Sequence, residues 1–275
     1  PSLTTLWTQT QGPAQVSFDA PSSTIATATF PQSGDYVLRL TANDTLASAS
    51  DEISIKVVPI LASPWTARDI GLLELDGYTL DRGGNRDFDS FGVGVIGGNP
   101  ASGADRFQQN FRSISTASNI DIVACVEAVP NASVGSLHGV MLRASGTSTS
   151  AANALLAVRG GNTLVYQNRA GSGGATSTIT EIPVTLPVCL RIKRLSTNQA
   201  QASYSLNGLS WTQLPAATVN IGSTSATFSI ASASGSDATR SRAIVSRACV
   251  ETAATEPSTC MQAASDLIFR SGFEF

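Results

Sequence analysis

Hydrophobic and polar residues alternate with a period of two along most of this chain. In the N-terminal part the alternation runs through 24–30, 35–41 and 52–57, and turn-forming Pro, Ser-Gly and Asn-Asp residues separate these segments. Helical spacing, in which apolar residues recur every three or four positions, is hard to find. Because alternation with a period of two is typical of strands that bury one face, the pattern predicts an all-β protein.

A second series of alternating segments fills the chain beyond residue 65. The predicted strands lie at 91–95, 106–111, 121–126, 139–143, 154–158, 163–167, 188–193, 201–205, 226–230 and 243–246. No helical segments lie between them, which excludes a parallel α/β sheet. We therefore expect two packed antiparallel sheets, as in a jelly roll.

Changes in composition divide the chain into predicted domains. A length of 275 residues corresponds to about two domains. The proline-containing stretch 59–64 predicts a linker between a first β-sandwich at 1–58 and a second at 65–250. From 251 to 275 the sequence turns to Thr, Ala, Pro and Ser and then to a short apolar run, so we predict a C-terminal tail.

Charge and hydropathy exclude several classes of partner. Only 13% of residues are charged and the net charge is −3, so the chain has no electrostatic footprint for nucleic acid. Lys56 and Lys193 are the only lysines, which excludes a polybasic membrane-binding surface. No apolar run reaches the length of about 18 residues that a membrane span needs.

Four cysteines indicate an oxidising compartment. Their even number, with few charges and much Ser, Thr, Gly and Ala, favours a secreted or cell-surface protein. Four cysteines allow three pairings. The short interval between Cys249 and Cys260 favours a disulfide that clasps the tail, which leaves Cys125 with Cys189; the other pairings stay open.

Four motifs in the first 58 residues occur in a characteristic order: LWTQ at 6–9 with Gly12-Pro13, ATFP at 28–31, GDYVLRLTAND at 34–44 and SDEI at 50–53. This order resembles a PKD-type immunoglobulin-like module, the polycystic-kidney-disease repeat of many secreted bacterial proteins. The resemblance implies a partial β-sandwich whose two N-terminal strands are missing. Because an open apolar edge promotes pairing, we expect an upstream part of the precursor or a strand-donating neighbour to complete it.

Five further motifs are WTARDIG at 65–71, GADRF at 103–107, HGVMLR at 138–143, LRIKR at 190–194 and YSLNGLSWT at 204–212. They are similar to the concanavalin A-like lectin/glucanase superfamily, in particular to jelly rolls without catalytic motifs in secreted bacterial proteins. The last motif, with an Asn-Gly turn between two short strands, predicts a hairpin. The resemblance implies a jelly-roll β-sandwich, but this fold hosts lectins, hydrolases and inert spacers alike.

The candidate catalytic groups do not form a complete set. Retaining glycosidases that resemble this superfamily carry Glu-x-Asp-x-x-Glu along one strand; here Glu74 and Asp76 begin that pattern, but Thr79 stands at the position of the acid. Ser136 and His138 lie two residues apart, without a GxSxG motif or a nearby carboxylate in sequence. We expect no enzymatic activity.

Two loops suggest cofactors only weakly. The segment 92–97 matches GxGxxG, but Gly98-Asn99-Pro100 follows it in place of the helix that would hold pyrophosphate. The candidate ligands of a calcium ion are Asp81, Asp87 and Asp89, although two arginines in the same loop and the absence of EF-hand spacing weigh against a calcium site. No other cofactor is expected.

Sugar binding is the most specific chemistry that the residues suggest, because aromatic rings and polar side chains combine in sugar sites. The candidates are Trp65, Tyr78, Arg143, Arg159, Tyr166, Asn168, Arg169 and Trp211. An aromatic content of 6% is low for a dedicated sugar-binding surface, and both tryptophans also suit a core position.

These observations leave three hypotheses. The first is a non-catalytic extracellular region for adhesion or targeting, with polysaccharide or a cell-surface glycan as its ligand. The segment 268–274, which resembles a C-terminal signature of secreted gammaproteobacterial proteins, agrees with that setting. The second is a structural or assembly subunit completed by strand donation, and the third is a glycan-active enzyme.

Overall fold

The computed structural model describes residues 2–57, 61, 64–83, 86–97, 105–115, 120–222 and 225–252. All regular elements of this part of the chain are β-strands, which confirms the predicted all-β class. None of it forms a helix that is long and apolar enough to cross a membrane. The chain divides into compact units at 1–60 and 61–275, and the division falls inside the predicted linker at 59–64, most of which lies outside the described residues.

The first unit contains a three-stranded antiparallel sheet and a two-stranded one. Their strands are β1 (Thr4–Gln11), β4 (Gly34–Asn43) and β5 (Ser48–Val57), in the order β1-β4-β5, and the short pair β2 (Ser17–Phe18) and β3 (Ala28–Thr29). The alternation at 35–41 and 52–57 therefore predicted real strands. At 24–30 it predicted too much, because only two residues pair there.

A small apolar core lies on one face of the three-stranded sheet. Val16, Tyr36 and Leu38 are buried, and the Tyr36 hydroxyl donates to the Gln32 carbonyl at 2.7 Å. β5 is an edge strand whose first seven residues are exposed. Its Ile53 lies opposite Leu38, on the core face, but is 51% exposed. The core therefore covers only part of this sheet.

The second unit is a sandwich of two antiparallel sheets. The eight-stranded sheet contains β7 (Tyr78–Gly83), β8 (Asp87–Gly94), β10 (Ile120–Ala128), β15 (Val188–Arg194), β16 (Gln199–Ser205), β17 (Thr212–Gln213), β18 (Ala217–Thr218) and β20 (Ser236–Thr252). The seven-stranded sheet contains β6 (Thr66–Ile70), β9 (Phe107–Ser115), β11 (Leu137–Arg143), β12 (Asn153–Arg159), β13 (Thr163–Arg169), β14 (Thr176–Pro183) and β19 (Ser225–Ala233).

The main core lies between these sheets, where alternate residues such as Ile122 and Leu190 meet Leu156 and Phe228. The outer face of the seven-stranded sheet carries a second buried cluster that includes Met141, Leu155 and Val165. Ile96 and Phe107, at the two ends of the segment between β8 and β9, pack on that cluster. Strands such as β11 are therefore buried on both faces, rather than on one as the alternation suggested.

Backbones of the two sheets come into contact at Gly92. A Cβ atom at this position would lie 2.2 Å from the carbonyl carbon of Ser232, which belongs to the opposite sheet. Only glycine permits such a close approach of two backbones. The glycines at 92–97 therefore serve packing and the end of β8.

Cys125 and Cys189 form a disulfide with an S–S distance of 2.01 Å, across directly opposed positions of β10 and β15. This is the pairing that the sequence favoured. Cys249 is also disulfide-bonded, and its predicted partner, Cys260, lies outside the described residues. Because β20 extends to Thr252, the predicted tail at 251–275 begins inside a strand, and the rest of it is not described.

The predicted hairpin is present between β16 and β17, where Tyr204 lies opposite Thr212. The Asn207 side-chain oxygen accepts hydrogen bonds from the backbone N–H groups of Leu209 and Ser210 at 2.9 and 2.8 Å. Gly208 has a φ of 72°, a left-handed conformation that favours glycine. The Asn-Gly pair therefore fixes the turn, as its sequence indicates.

Candidate functional site

The outer face of the seven-stranded sheet carries a fully buried ionic cluster. The Asp105 carboxylate contacts the Arg143 guanidinium at 3.0 Å and the Arg169 guanidinium at 2.7 Å, and all three side chains are 0% exposed. Its other oxygen accepts from Arg169 Nη2 at 2.9 Å and from the Gly97 backbone at 3.1 Å. The cluster joins the segment before β9 to the ends of β11 and β13.

This cluster removes Arg143 and Arg169 from the set of predicted sugar contacts. Arg143 lies 5.1 Å from the centroid of the Phe107 ring, and burial lowers the pKa of its guanidinium. Its Nε donates to the Ser145 carbonyl, and the Arg169 Nε donates to the Gly174 carbonyl. Both arginines hold loops against the sheet, so the sequence prediction is corrected here.

The prediction that Trp65 and Tyr166 contact a sugar is also corrected, because both side chains belong to the core between the sheets. Trp65 is 4% exposed and packs edge-on against Phe88, with ring centroids 5.7 Å apart. The Tyr166 hydroxyl donates to the Ala200 carbonyl at 3.3 Å, and burial raises its pKa above the usual value. Sequence alternation could not tell which face of β13 points outward, because both faces are covered.

Arg159 and Asn168 lie on the seven-stranded sheet and have partners within the chain. Arg159 forms an ion pair with Glu181, and Asn168 Nδ2 donates to the Thr218 carbonyl at 2.6 Å. Asn168 lies two positions from Tyr166 on β13, and both side chains donate to backbone carbonyls of the opposite sheet.

Trp211 lies on the outer face of the eight-stranded sheet, half-buried against the Cys125–Cys189 disulfide. The Arg191 guanidinium is 6.0 Å from its ring centroid, and Arg191 Nε donates to Asp121 at 2.5 Å. The ring covers the disulfide, which is a packing role.

Tyr78 lies on the same outer face, where strand register brings aromatic and basic side chains together. Tyr78 on β7 is directly opposite Phe91 on β8, and Phe91 is directly opposite Arg242 on β20. Cross-strand partners share a face. Phe88 and Val245 lie three positions away on the same two strands, and therefore on the opposite face, and both belong to the core between the sheets. The face that carries Tyr78 is therefore the outer one.

The two rings stack at a centroid distance of 4.3 Å and an interplanar angle of 18°. The Arg240 guanidinium lies 5.3 Å from the Tyr78 centroid, and the Arg242 guanidinium lies 5.8 Å from the Phe91 centroid. These distances are within the range of cation–π attraction. Both rings are half-buried, and Arg240 is exposed. The four side chains thus form an ordered surface that solvent reaches.

A carboxylate anchors one side of this surface. Asp89 lies between Arg82 and Arg242, at 3.3 Å from Arg82 Nε and 2.5 Å from Arg242 Nη2. We call the set Tyr78, Phe91, Arg82, Arg240, Arg242 and Asp89 the Tyr78 cluster. Three guanidinium groups against one carboxylate leave it with a net charge of +2, in a chain whose net charge is −3. Chemically, it offers guanidinium donors and aromatic edges to a ligand.

The sequence contained only part of the signal for this cluster. Tyr78 was a candidate, and Phe91 lay in a predicted strand. The strand that carries Tyr78 was not predicted, and β20 pairs with β8 through a bulge between Ser236 and Ser241. This long-range register, which brings Arg240 and Arg242 to the rings, is a tertiary property.

The candidate catalytic residues are not brought together. Glu74 and Asp76 are exposed in the segment before β7, whereas Thr79 is buried and bonded to Asn110. The His138 ring is buried and bonded to Ser241 at 2.9 Å, and burial lowers its pKa to about 3. The Ser136 hydroxyl donates to the Ser133 carbonyl instead of contacting His138.

The calcium candidate is not assembled in the described residues either. They contain no group of three or more His, Cys, Asp or Glu that could hold a metal ion. Asp89 lies between two arginines, and Asp87 accepts from the Arg247 backbone at 3.1 Å. A guanidinium already neutralises Asp89. Residues 84–85 of this loop are not among the described residues.

Comparison with known protein families gives a match within the first unit. Residues 2–57 match the family model described as "K319L-like, PKD domain". This match, together with the disulfide of the second unit, is consistent with an extracellular protein. No curated protein matches the sequence of this chain.

Solved structures that are similar to this chain share little sequence identity with it. A functionally unknown protein from Saccharomyces cerevisiae is 12% identical, with a TM-score of 0.46 over 65% of this chain and 97% of that one. A xylan β-1,4-xylosidase from Bacillus halodurans is 11% identical, with a TM-score of 0.45 over 78% of this chain and 51% of that one. A protein of unknown function from Shewanella oneidensis is 11% identical, with a TM-score of 0.39 over 84% and 92%.

Proposed function

We propose that this chain is a non-catalytic extracellular region for adhesion or targeting, which binds glycans through the Tyr78 cluster. The observation that carries the proposal is the solvent-facing stack of Tyr78 and Phe91, with a guanidinium over each ring. Sugar sites combine such rigid aromatic groups with a few well-placed polar donors. In this proposal the chain acts as a secreted or cell-surface module of a larger protein.

The placement of the carboxylates supports a non-catalytic role. Acid–base hydrolysis of a glycoside needs two carboxyl groups that face one sugar ring across a short gap. In the described part of the second unit Asp89, Asp105 and Asp121 each contact arginine, whereas Asp69, whose pKa burial raises to about 6, accepts a hydrogen bond from the Gly77 backbone at 3.0 Å. A guanidinium in contact with a carboxylate occupies oxygens that an acid or a nucleophile would present to a sugar, so the first three carboxylates are unsuited to either role.

In this proposal the two units divide the work. The PKD-like unit is a spacer, and the second sandwich, which we assign to the concanavalin A-like superfamily, presents the ligand surface. The motif resemblance beyond residue 65 and the two antiparallel sheets support that assignment.

A glycan array probed with the full chain tests the proposal. We expect binding to a subset of glycans, and we expect Tyr78→Ala to weaken it by about tenfold, because aromatic contacts in a binding site contribute on the order of 1–2 kcal/mol. Phe111→Ala is the matched control, since Phe111 also lies beside an arginine, Arg68, at 5.3 Å on the other sheet. A chain that binds no glycan, or that degrades a polysaccharide, would contradict the proposal.

A second candidate function is assembly by strand addition. It is favoured by β5, an edge strand of ten residues with an exposed apolar side chain, Ile53, on its core face. Long exposed edges are templates for pairing with another strand. Light scattering after size exclusion at rising protein concentration tests this candidate: defined higher-mass species favour it, and a monomer at all concentrations excludes self-assembly.

A further inference from the structure

We propose that the Tyr78 cluster recognises the carboxylate groups of an acidic polysaccharide. This inference rests on the proposed glycan-binding function and adds the charge class of the ligand.

The stacking of Tyr78 and Phe91 leaves the edges of the two rings, and not their faces, accessible to a ligand. Because Phe91 is stacked on one face of Tyr78, the guanidinium above Tyr78 must lie on the opposite face. Phe91 is covered in the same way, by Tyr78 on one face and Arg242 on the other. A neutral sugar that needs a free ring face therefore has none here. The exposed ring edges carry positive partial charge, which favours an anion.

The guanidinium groups supply matching donors. Arg240 is exposed, and its Nε donates to the Asp76 carbonyl at 2.8 Å, which fixes the direction of the group. A planar guanidinium fits a carboxylate with two parallel hydrogen bonds, and such charge-assisted bonds are stronger than neutral ones. The cluster already holds one carboxylate, Asp89, between Arg82 and Arg242. The spacing of Arg82 and Arg242 therefore suits a carboxylate group.

Three guanidinium groups and three carboxylates meet on this face. The cluster itself has a net charge of +2, because Arg82 and Arg242 share Asp89, and the carboxylates of Asp69 and the exposed Asp76 beside Arg240 balance that charge. Attraction of a ligand carboxylate therefore depends on the directed donors of the exposed Arg240 rather than on a net positive charge.

The test measures binding of the full chain to immobilised polygalacturonate and to the same polymer after complete methyl esterification, which keeps the sugars and removes the charge. We expect at least about tenfold weaker binding to the ester, because hydrogen bonds to charged groups contribute strongly. Arg240→Gln should weaken binding to polygalacturonate by a similar factor, and Arg240→Gln with Arg242→Gln by more. Arg39→Gln is the control, since Arg39 is an exposed, ion-paired arginine of the first unit.

Each outcome has a separate meaning. Equal binding to the acid and the ester overturns the carboxylate inference, while the glycan-binding function stands. Equal weakening by Arg39→Gln and Arg240→Gln also overturns the carboxylate inference and leaves the glycan-binding function standing. Absence of binding to both pectic polymers and to every glycan of the array overturns the function as well. Arg240→Gln alone leaves the Asp89 ion pairs intact, so its effect is separable from a folding defect.

Discussion

Asp105 shows how a single residue can organise one face of a sheet. Its carboxylate is 0% exposed and satisfies two arginines that are equally buried. A buried ion pair gives little net stability relative to apolar packing, but removal of one partner leaves an uncompensated charge. Loss of the Asp105 carboxylate would therefore leave two buried guanidinium groups without a counter-charge.

Asp105→Asn should lower the free energy of unfolding of the second unit by about 3–5 kcal/mol, because two buried guanidinium groups lose their counter-charge. Urea denaturation followed by circular dichroism measures this. Glu52→Gln is the control: its partner Arg39 is 45% exposed, and exposed pairs contribute under about 1 kcal/mol. Equal effects of the two variants would contradict the burial argument.

His138 and Asp69 couple stability to pH in opposite directions. Burial lowers the pKa of His138 from 6.5 to about 3, so the unfolded chain takes up this proton first and acidification destabilises the fold. Burial is the main cause that raises the pKa of Asp69 from 3.8 to about 6, so the native chain takes up that proton first. The contribution of Asp69 to stability is present below pH 3.8 and is lost as the pH rises through 6.

Unfolding free energies at about pH 7 and about pH 4.5 should separate the two groups. His138→Gln removes the group that favours unfolding in acid, so this variant should lose less stability than the parent chain on acidification. Asp69→Asn removes the opposing group and should lose more. Parallel pH profiles for all three proteins would show that neither residue controls the dependence.

At the scale of elements, side-chain size at strand crossings is as constraining as hydrophobicity. β8 and β19 belong to different sheets, and their backbones meet at Gly92 and Ser232. A Cβ atom there would overlap the backbone, which cannot move as a flexible side chain can. The crossing therefore depends on the absence of a side chain.

Gly92→Ala should destabilise the second unit by about 1–3 kcal/mol, the usual cost of overpacking. Gly171→Ala should change stability by no more than about 0.5 kcal/mol, because no atom lies within 4 Å of the added Cβ. Thermal and urea denaturation of the two variants checks this. A tolerated alanine at Gly92 would mean that the sheets can separate locally.

At the scale of the whole molecule, the two units differ in the size of their cores. Among the residues that the structure describes, three buried apolar residues form the centre of the first unit, whereas 32 form the main core of the second. Stability rises with the fraction of apolar surface that folding buries, and small domains are marginal. The first unit should therefore be the less stable one.

Denaturant unfolding should show two transitions, and the first should report on Trp7, because Trp65 and Trp211 belong to the second unit. Trp7→Phe should remove the fluorescence change of the first transition, while circular dichroism still records it. A single transition that coincides in both probes would contradict independent unfolding.

Particular residues show how far the sequence predicted this molecule. Period-two alternation predicted β4, which buries alternate side chains, and apolar segments predicted β10 and β12, which are buried on both faces. The Asn207-Gly208 pair predicted its hairpin from local turn chemistry. The strands β6, β7 and β14 were missed. Trp65 and Tyr166 were candidate ligand contacts and are core residues, because composition does not reveal whether an aromatic ring faces inward.

What the sequence determined by itself is local: strand content, the positions of turns and the likeness of residues 2–57 to a PKD module, since these depend on neighbouring side chains and backbone preferences. What only the tertiary structure decided is long-range. Asp105 meets Arg143 and Arg169, and Arg240 meets Tyr78, across as many as 162 positions of the chain. Strand register sets these encounters, and register results from the packing of whole sheets rather than from any one segment.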